Sequence, residues 1–260
     1  MEVLGYIGAL LIGLVLGLTG GGGSILTVPI LVYLLAIQPV TAMAYSLFIV
    51  GITSGFGAFQ NYKKGLVDFK NGFLFAIPSF IGVYLTRRFL VPLIPDVFIE
   101  TPFLVTKDFF LMLLFAIIMI LAAYSMLKKK NELAAAVPVS FIQLSLQTFS
   151  IGILIGLVGA GGGFLIIPAL VLFVKLPMKK AVATSLFIIT LNSLIGFLGD
   201  VQNLNIDWPF LLSFTSLSVV GIFIGIYLNQ FINESQLKKG FAYFVLVMAG
   251  FILVKEITVL

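Results

Sequence analysis

Long apolar runs, interrupted by short polar or glycine-rich stretches, occupy nearly the whole chain. They fall into ten segments, at 3–18, 24–37, 42–60, 71–94 and 109–127, then 141–158, 164–176, 181–199, 209–231 and 240–260. Backbone in lipid must satisfy its own hydrogen bonds, so runs of this kind predict helices in a hydrocarbon layer. The polar stretch Lys128, Lys129, Lys130, Asn131, Glu132 parts the two halves. The pattern predicts a first transmembrane repeat over 1–127, a linker over 128–140 and a second repeat over 141–260.

The halves resemble each other. Residues 12–57, shifted by 139 positions onto 151–196 without a gap, give 19 identities in 46 positions. Among them are Gly17/Gly156, Gly20/Gly159, Gly22/Gly161, Gly23/Gly162, Pro29/Pro168, Ser46/Ser185, Phe48/Phe187 and Ser54/Ser193. The register persists at Asp68/Asp207 and Gly82/Gly221. Glycines, a proline and serines matching together predict an internal duplication. Five segments per half, an odd number, place the second half in the membrane upside down relative to the first. The expected fold is therefore an all-α polytopic membrane protein of two inverted five-segment repeats.

Charge tests that topology. If every segment turns the chain around, one side collects Lys63, Lys64, Lys70, Lys128, Lys129, Lys130, Lys175, Lys179, Lys180, Lys238 and Lys239. The other receives Arg87, Arg88, Lys107 and Lys255, a division of 11 against 4. Fusing each glycine-interrupted pair into one span gives 7 against 8, which is no bias. The positive-inside rule then predicts cytoplasmic lysine-rich loops in a cell membrane, with both termini outside. Residues 3–18 rise about 24 Å and residues 24–37 about 21 Å. The hydrocarbon core is about 30 Å thick. Each pair flanking a glycine run is thus expected as a broken or re-entrant helix pair, which leaves the parity unchanged.

Composition agrees with a lipid solvent. The 260-residue chain is 61% hydrophobic and 10% charged, with a mean hydropathy of +1.22. A soluble domain carries about 25% charged residues. The net charge of +5 comes from short basic clusters between apolar runs, which anchor a membrane protein rather than bind nucleic acid. With no cysteine and no histidine, disulfides, thiolate metal sites and histidine-based catalysis lose their residues. No enzyme, cofactor or metal site is expected.

The candidate chemistry lies at Thr19, Gly20, Gly21, Gly22, Gly23, Ser24 and at Val158, Gly159, Ala160, Gly161, Gly162, Gly163. Irregular backbone at membrane depth is tolerated only where protein buries it or it lines a cavity. Glycine supplies left-handed torsions and lets a solute approach the backbone. A helix starting near Ser24 or Gly163 presents free N–H groups, an anion site without a charged side chain. No Gly-Lys-Ser/Thr follows, so this is no nucleotide phosphate loop. The alternative role is tight helix packing, the expected use of Gly13/Gly17, Gly152/Gly156, Gly51/Gly55 and Gly221/Gly225. The third segment of each half adds Tyr45, Ser46, Thr53, Ser54 and Gln60, or Thr184, Ser185, Asn192 and Ser193. Ser46 and Thr53 are seven apart and share a helix face, as do Ser185 and Asn192. They are candidate oxyanion donors or interhelical contacts. No charged residue falls mid-segment, which argues against a buried carboxylate relay. Asp68 and Asp207 read as helix-start residues.

The runs Gly-Leu-Thr-Gly-Gly-Gly-Gly-Ser…Pro at 17–29 and Gly-Leu-Val-Gly-Ala-Gly-Gly-Gly…Pro at 156–168 resemble the sulfite exporter TauE/SafE family of membrane transporters. The Ala-Xaa-Ala-Tyr/Thr-Ser-Leu-Phe stretches at 42–48 and 181–187 share in the resemblance. It implies export of sulfite, sulfoacetate or a related sulfur-containing anion. The expected partners are a small anionic solute and the bilayer. A secondary carrier, an anion channel using the same loops and a non-transporting membrane protein remain the competing readings.

Overall fold

A computed structural model describes residues 2–99, 105–127, 141–231 and 234–259. All ten apolar segments are helical. They form α1 (Glu2–Thr19), α2 (Ser24–Pro29, continued by a π-helical turn Ile30–Leu34), α3 (Pro39–Lys63) and α4 (Phe69–Leu85). A second π-helical turn, Thr86–Leu90, leads from α4 into the short α5 (Val91–Leu93). Then come α6 (Lys107–Leu127), α7 (Phe141–Val158), α8 (Gly163–Phe173), α9 (Met178–Asp200), α10 (Trp208–Leu228) and α11 (Glu234–Val259). A small antiparallel pair, β1 (Val97–Ile99) with β2 (Val105–Thr106), precedes α6 and was not foreseen from the apolar pattern. The linker 128–140, with Lys128, Lys129 and Lys130, and Glu100 lie outside the described residues.

Among the described residues five helices are long and apolar enough to cross a membrane, namely Pro39–Lys63, Phe69–Leu93, Lys107–Tyr124, Met178–Asp200 and Trp208–Leu228. Leu4–Thr19, Ser24–Leu34 and Ile142–Val158 are apolar but shorter. Polarity is arranged for lipid. Leu93, Ile142 and Val247 are 78%, 76% and 69% exposed, whereas Ser24, Thr27, Ser46, Thr53, Ser185 and Asn192 are fully buried.

The first glycine run turns the chain back. A Cβ built on Gly8 would meet Ile30, one on Gly5 would meet Leu35, and one on Gly23 would meet Leu16. So α2 retraces α1 rather than prolonging it, and the fused single span considered above is excluded for this pair.

Packing links the halves rather than closing each on itself. Helix α1 lies on α10, α7 on α4, and α3 on α9. Contacts recur at the sequence offset of 139. Gly13 meets the Ser218 carbonyl, and Gly152 meets the Ser79 carbonyl. Gly82 faces Phe149 and Ile153, and Gly221 faces Leu10 and Leu14. The Asp68 N–H donates to Thr184 Oγ1 at 3.0 Å, and the Asp207 N–H to Tyr45 Oη at 2.7 Å. Each aspartate also caps the helix after it, accepting from the Asn71 or Phe210 N–H at 3.1 Å. The Asn71 N–H donating to Asp68 holds that carboxyl below its ordinary range.

The paired glycines pack as their spacing predicts, but unequally. At Gly13 and Gly152 a Cβ would fall onto a backbone carbonyl, which cannot yield as a side chain can. At Gly55 the nearest neighbour is Thr190 Cγ2 at an ordinary 3.4 Å. Gly13→Ala and Gly152→Ala are therefore expected to cost about 1–3 kcal/mol each by overpacking. Gly55→Ala should stay within about 0.5 kcal/mol of the parent. Thermal unfolding in detergent reads the difference, and equal midpoints for Gly13→Ala and Gly55→Ala would contradict the packing described.

Candidate functional site

The site is built from two glycine loops lying against α3 and α9. Helix α1 stops after Thr19 because Gly20 takes a left-handed torsion, φ +72°. The second loop does the same at Gly159, Gly161 and Gly162, with φ of +67°, +63° and +75°. Gly22 does not take such a torsion. Gly20 packs on Val182 of α9, and Gly159 on Met43 of α3, another pair at the offset of 139. Gly161 lies by Val50 of α3 and Ser193 of α9, and Gly21 and Gly163 both lie by Ile189 of α9. The two loops touch each other where the Gly21 and Gly163 backbones meet, so no side chain can stand between them.

Hydrogen bonding in the loops is lopsided. The Gly20 carbonyl accepts from Ser185 Oγ at 2.7 Å, and the Gly21 carbonyl from Ser24 Oγ at 2.8 Å. The Gly22 and Gly23 carbonyls accept from Ile25 and Leu26, the Ala160 carbonyl from Gly162, and the Gly162 carbonyl from Leu165 and Ile166. Donors fare differently. Thr19 Oγ1 takes the Gly22 N–H at 2.9 Å. The N–H groups of Gly21, Gly23 and Ser24, and of Ala160, Gly161, Gly163 and Phe164, have no protein acceptor among the described residues. All seven residues are buried. A buried N–H without a partner costs about 1–3 kcal/mol, and four of the seven, at Gly23, Ser24, Gly163 and Phe164, are the free donors of the α2 and α8 starts.

The predicted site residues divide accordingly. Gly20, Gly21, Gly22, Gly23, Ser24, Gly159, Gly161, Gly162, Gly163 and Ser185 all belong to the loop cluster. Within it, Ser24 and Ser185 spend their hydroxyls on loop carbonyls, and the Gly22 N–H is spent on Thr19. Ser46 and Thr53 are fully buried on α3 with hydroxyl oxygens that lack a partner. Ser46 falls between Met43 and Val50, three and four residues away, on the face that meets the second loop. Asn192 Nδ2 donates to Ser79 Oγ at 2.8 Å, leaving Asn192 Oδ1 bare.

Ser54 and Ser193, named above on the third segments, also carry unpartnered hydroxyls, and Ser193 Oγ lies 3.1 Å from where a Gly161 Cβ would stand. Sequence reasoning passed over other residues. Ser79 and Ser218, both fully or almost fully buried, are again related by the offset of 139. Extending the repeat register past Asp68 would have found them. Arg87, inside the segment 71–94, was counted only with the charges on the side opposite the lysines. It is instead wholly buried in the π-helical turn after α4, with its Nη2 2.6 Å and its Nε 2.7 Å from Asp200 Oδ2. Such a turn re-aims a side chain that a regular helix would send outward.

Among the described residues no cluster of three or more acidic, histidine or cysteine side chains could hold a metal ion. In the loops, N–H groups without an acceptor among the described residues outnumber the carbonyls without a donor, those of Thr19, Val158, Gly159 and Gly161.

"Probable membrane transporter protein YunE" of Bacillus subtilis (strain 168) is 30% identical over 252 residues, 88% of this chain and 88% of that protein. "Probable membrane transporter protein" of Xylella fastidiosa (strain Temecula1 / ATCC 700964) is 27% identical over 251 residues, covering 94% and 91%. "Probable membrane transporter protein MJ0441" of Methanocaldococcus jannaschii is 36% identical over 107 residues, 39% of this chain. No solved structure matches. With five apolar helices long enough to cross, the chain is a multi-pass membrane protein. The family described as Sulfite exporter TauE/SafE matches residues 6–252, and this chain is a member of that family of membrane transporters.

Proposed function

We propose that the protein is a secondary carrier that exports a small sulfur-containing oxyanion, such as sulfite or an organosulfonate, by alternating access around the two glycine loops. The observation that carries this reading is the set of seven buried N–H groups without acceptors, on two loops that touch. Partial positive charge at the starts of α2 and α8 favours an anion without committing a side-chain charge. The unpartnered hydroxyls of Ser46, Thr53, Ser54 and Ser193 add donors beside them. The sulfur chemistry and the outward direction rest on the family's description alone.

The architecture proposed is two inverted five-segment repeats, each with its glycine run breaking a helix pair. Its support is reciprocity. Several contacts between residue i of one half and residue j of the other recur between i + 139 and j − 139, as in Asp68–Thr184 and Asp207–Tyr45. That is the signature of a two-fold relation. Closely apposed loops also fit a carrier, since a solute between Gly21 and Gly163 requires the two halves to part.

Uptake of radiolabelled sulfite, sulfoacetate, thiosulfate and chloride into proteoliposomes tests the function. Saturable flux of sulfite or sulfoacetate is the expected result. Non-saturating conduction would make it a channel, and no flux of any of the four would refute transport of this class. Topology is tested apart from it. Because the chain has no cysteine, single cysteines at Lys64 and Lys179 are expected to resist an impermeant thiol reagent on intact cells, with one at Glu100 labelled. Labelling at Lys64 or Lys179 from outside would reverse the assigned sidedness.

A further inference from the structure

Among the described residues the Arg87–Asp200 pair has no charged counterpart at the other end of the bundle. The positions related to it by the offset of 139 are Ile226 and Asn61, neither of them charged. Asn61 turns inward on its own helix, donating to the Gly57 carbonyl at 2.9 Å. Arg87, by contrast, reaches across elements. Besides Asp200 at the close of α9, its guanidinium donates to the Gly156 carbonyl of α7 and to the Val40 carbonyl in the first turn of α3, both at 3.4 Å. Gly199 makes the approach possible, since a Cβ there would stand 3.1 Å from Arg87 Cβ. One buried cation therefore joins the ends of α3 and α9, the two helices that flank the glycine loops. Behind it stands Met43, one turn on from Val40, fully buried against Gly159.

We propose that the Arg87–Asp200 ion pair is a latch that closes this end of the transport path over the second glycine loop, with no charged pair at the related positions, Ile226 and Asn61, of the opposite end. The proposal rests on the transport reading above. A path that opens at this end must separate α3 from α9 here, and so must break the pair and expose Met43. At the opposite end the same movement breaks no ion pair among the described residues. The resting preference for closure at the Arg87 end is then set by one interaction, and removing it shifts the population toward the open arrangement.

The cysteine-free chain allows a direct test. Met43→Cys reports on the latched end, and Val182→Cys, beside Gly20, on the other. Modification by a soluble maleimide is timed in purified, monodisperse protein. Asp200→Asn and Arg87→Gln are each expected to speed modification of Met43→Cys by about tenfold or more. Val182→Cys should show no such rise. Should either single variant fail to fold, the double variant Arg87→Gln/Asp200→Asn, which strands no buried charge, is expected to show the same rise at Met43→Cys. An unchanged rate at Met43→Cys overturns the latch. An equal rise at both reporters overturns it too, because it would mean general loosening. The readout uses no substrate, so absent flux with this labelling pattern intact would sink the transport reading and leave the closure device standing.

Discussion

Gly161→Val is expected to abolish uptake while the protein still inserts. Two effects act together at this position. Its φ of +63° is costly for any residue with a Cβ, by about 1–2 kcal/mol, and more for a branched one. A Cβ there would also stand 2.7 Å from Val50 Cγ1 and 3.1 Å from Ser193 Oγ, in the space where the loop faces both α3 and α9. Strain and crowding can be separated. Gly65 has nearly the same torsion, +67°, with nothing within 4 Å of a built Cβ. Gly65→Val should therefore carry the strain and keep its uptake. Ser46→Ala and Thr53→Ala should be graded, since each removes one donor worth about 1.5–3 kcal/mol against a charged solute, roughly tenfold to hundredfold in affinity. Proteoliposome flux, normalised to inserted protein, reads all four. Normal flux through inserted Gly161→Val would remove the loops from the solute's path.

The helices were legible because lipid imposes a one-dimensional rule. Every segment too apolar for water became a helix, with ends within a few residues of the apolar runs, as at 71–94 against Phe69–Leu93. The helix-start aspartates were legible for a local reason, since a cap acts on an N–H three residues away. Partner choice was not. Nothing in periodicity tells α1 to lie on α10 rather than on a helix of its own half, although the offset of 139 holds the information once one contact is known. The loops were found as glycine runs, but their division of labour was hidden. Ser24 and Ser185 looked like ligands by residue type, and only the geometry assigns their protons to loop carbonyls. Arg87 was missed for a related reason. A charge near a segment's end normally reaches toward the interface, and the π-helical turn that buries this one has no sequence signal. Its partner is 113 residues away.

Arg87→Ala is expected to lower stability by about 3–5 kcal/mol, the usual result of stranding one member of a buried ion pair. The loss has a specific origin. The Asp200 carboxylate would be left in the interior without its cation, and the Gly156 and Val40 carbonyls would lose a donor. Asp200→Ala should cost a similar amount, because the guanidinium is wholly buried and has no water to turn to. The double replacement Arg87→Met/Asp200→Leu should recover most of it, since two apolar side chains of similar volume need neither desolvation nor pairing. Unfolding midpoints in detergent, taken for the three variants and the parent, give the coupling directly. If the double variant is as unstable as the sum of the singles, the two residues act independently and the pair is not a unit. Recovery would carry a stronger meaning. A pair that an apolar couple can replace without loss of stability is not retained for stability. Such a result would fit the latch proposed above, since the pair joins the end of α9 to the first turn of α3.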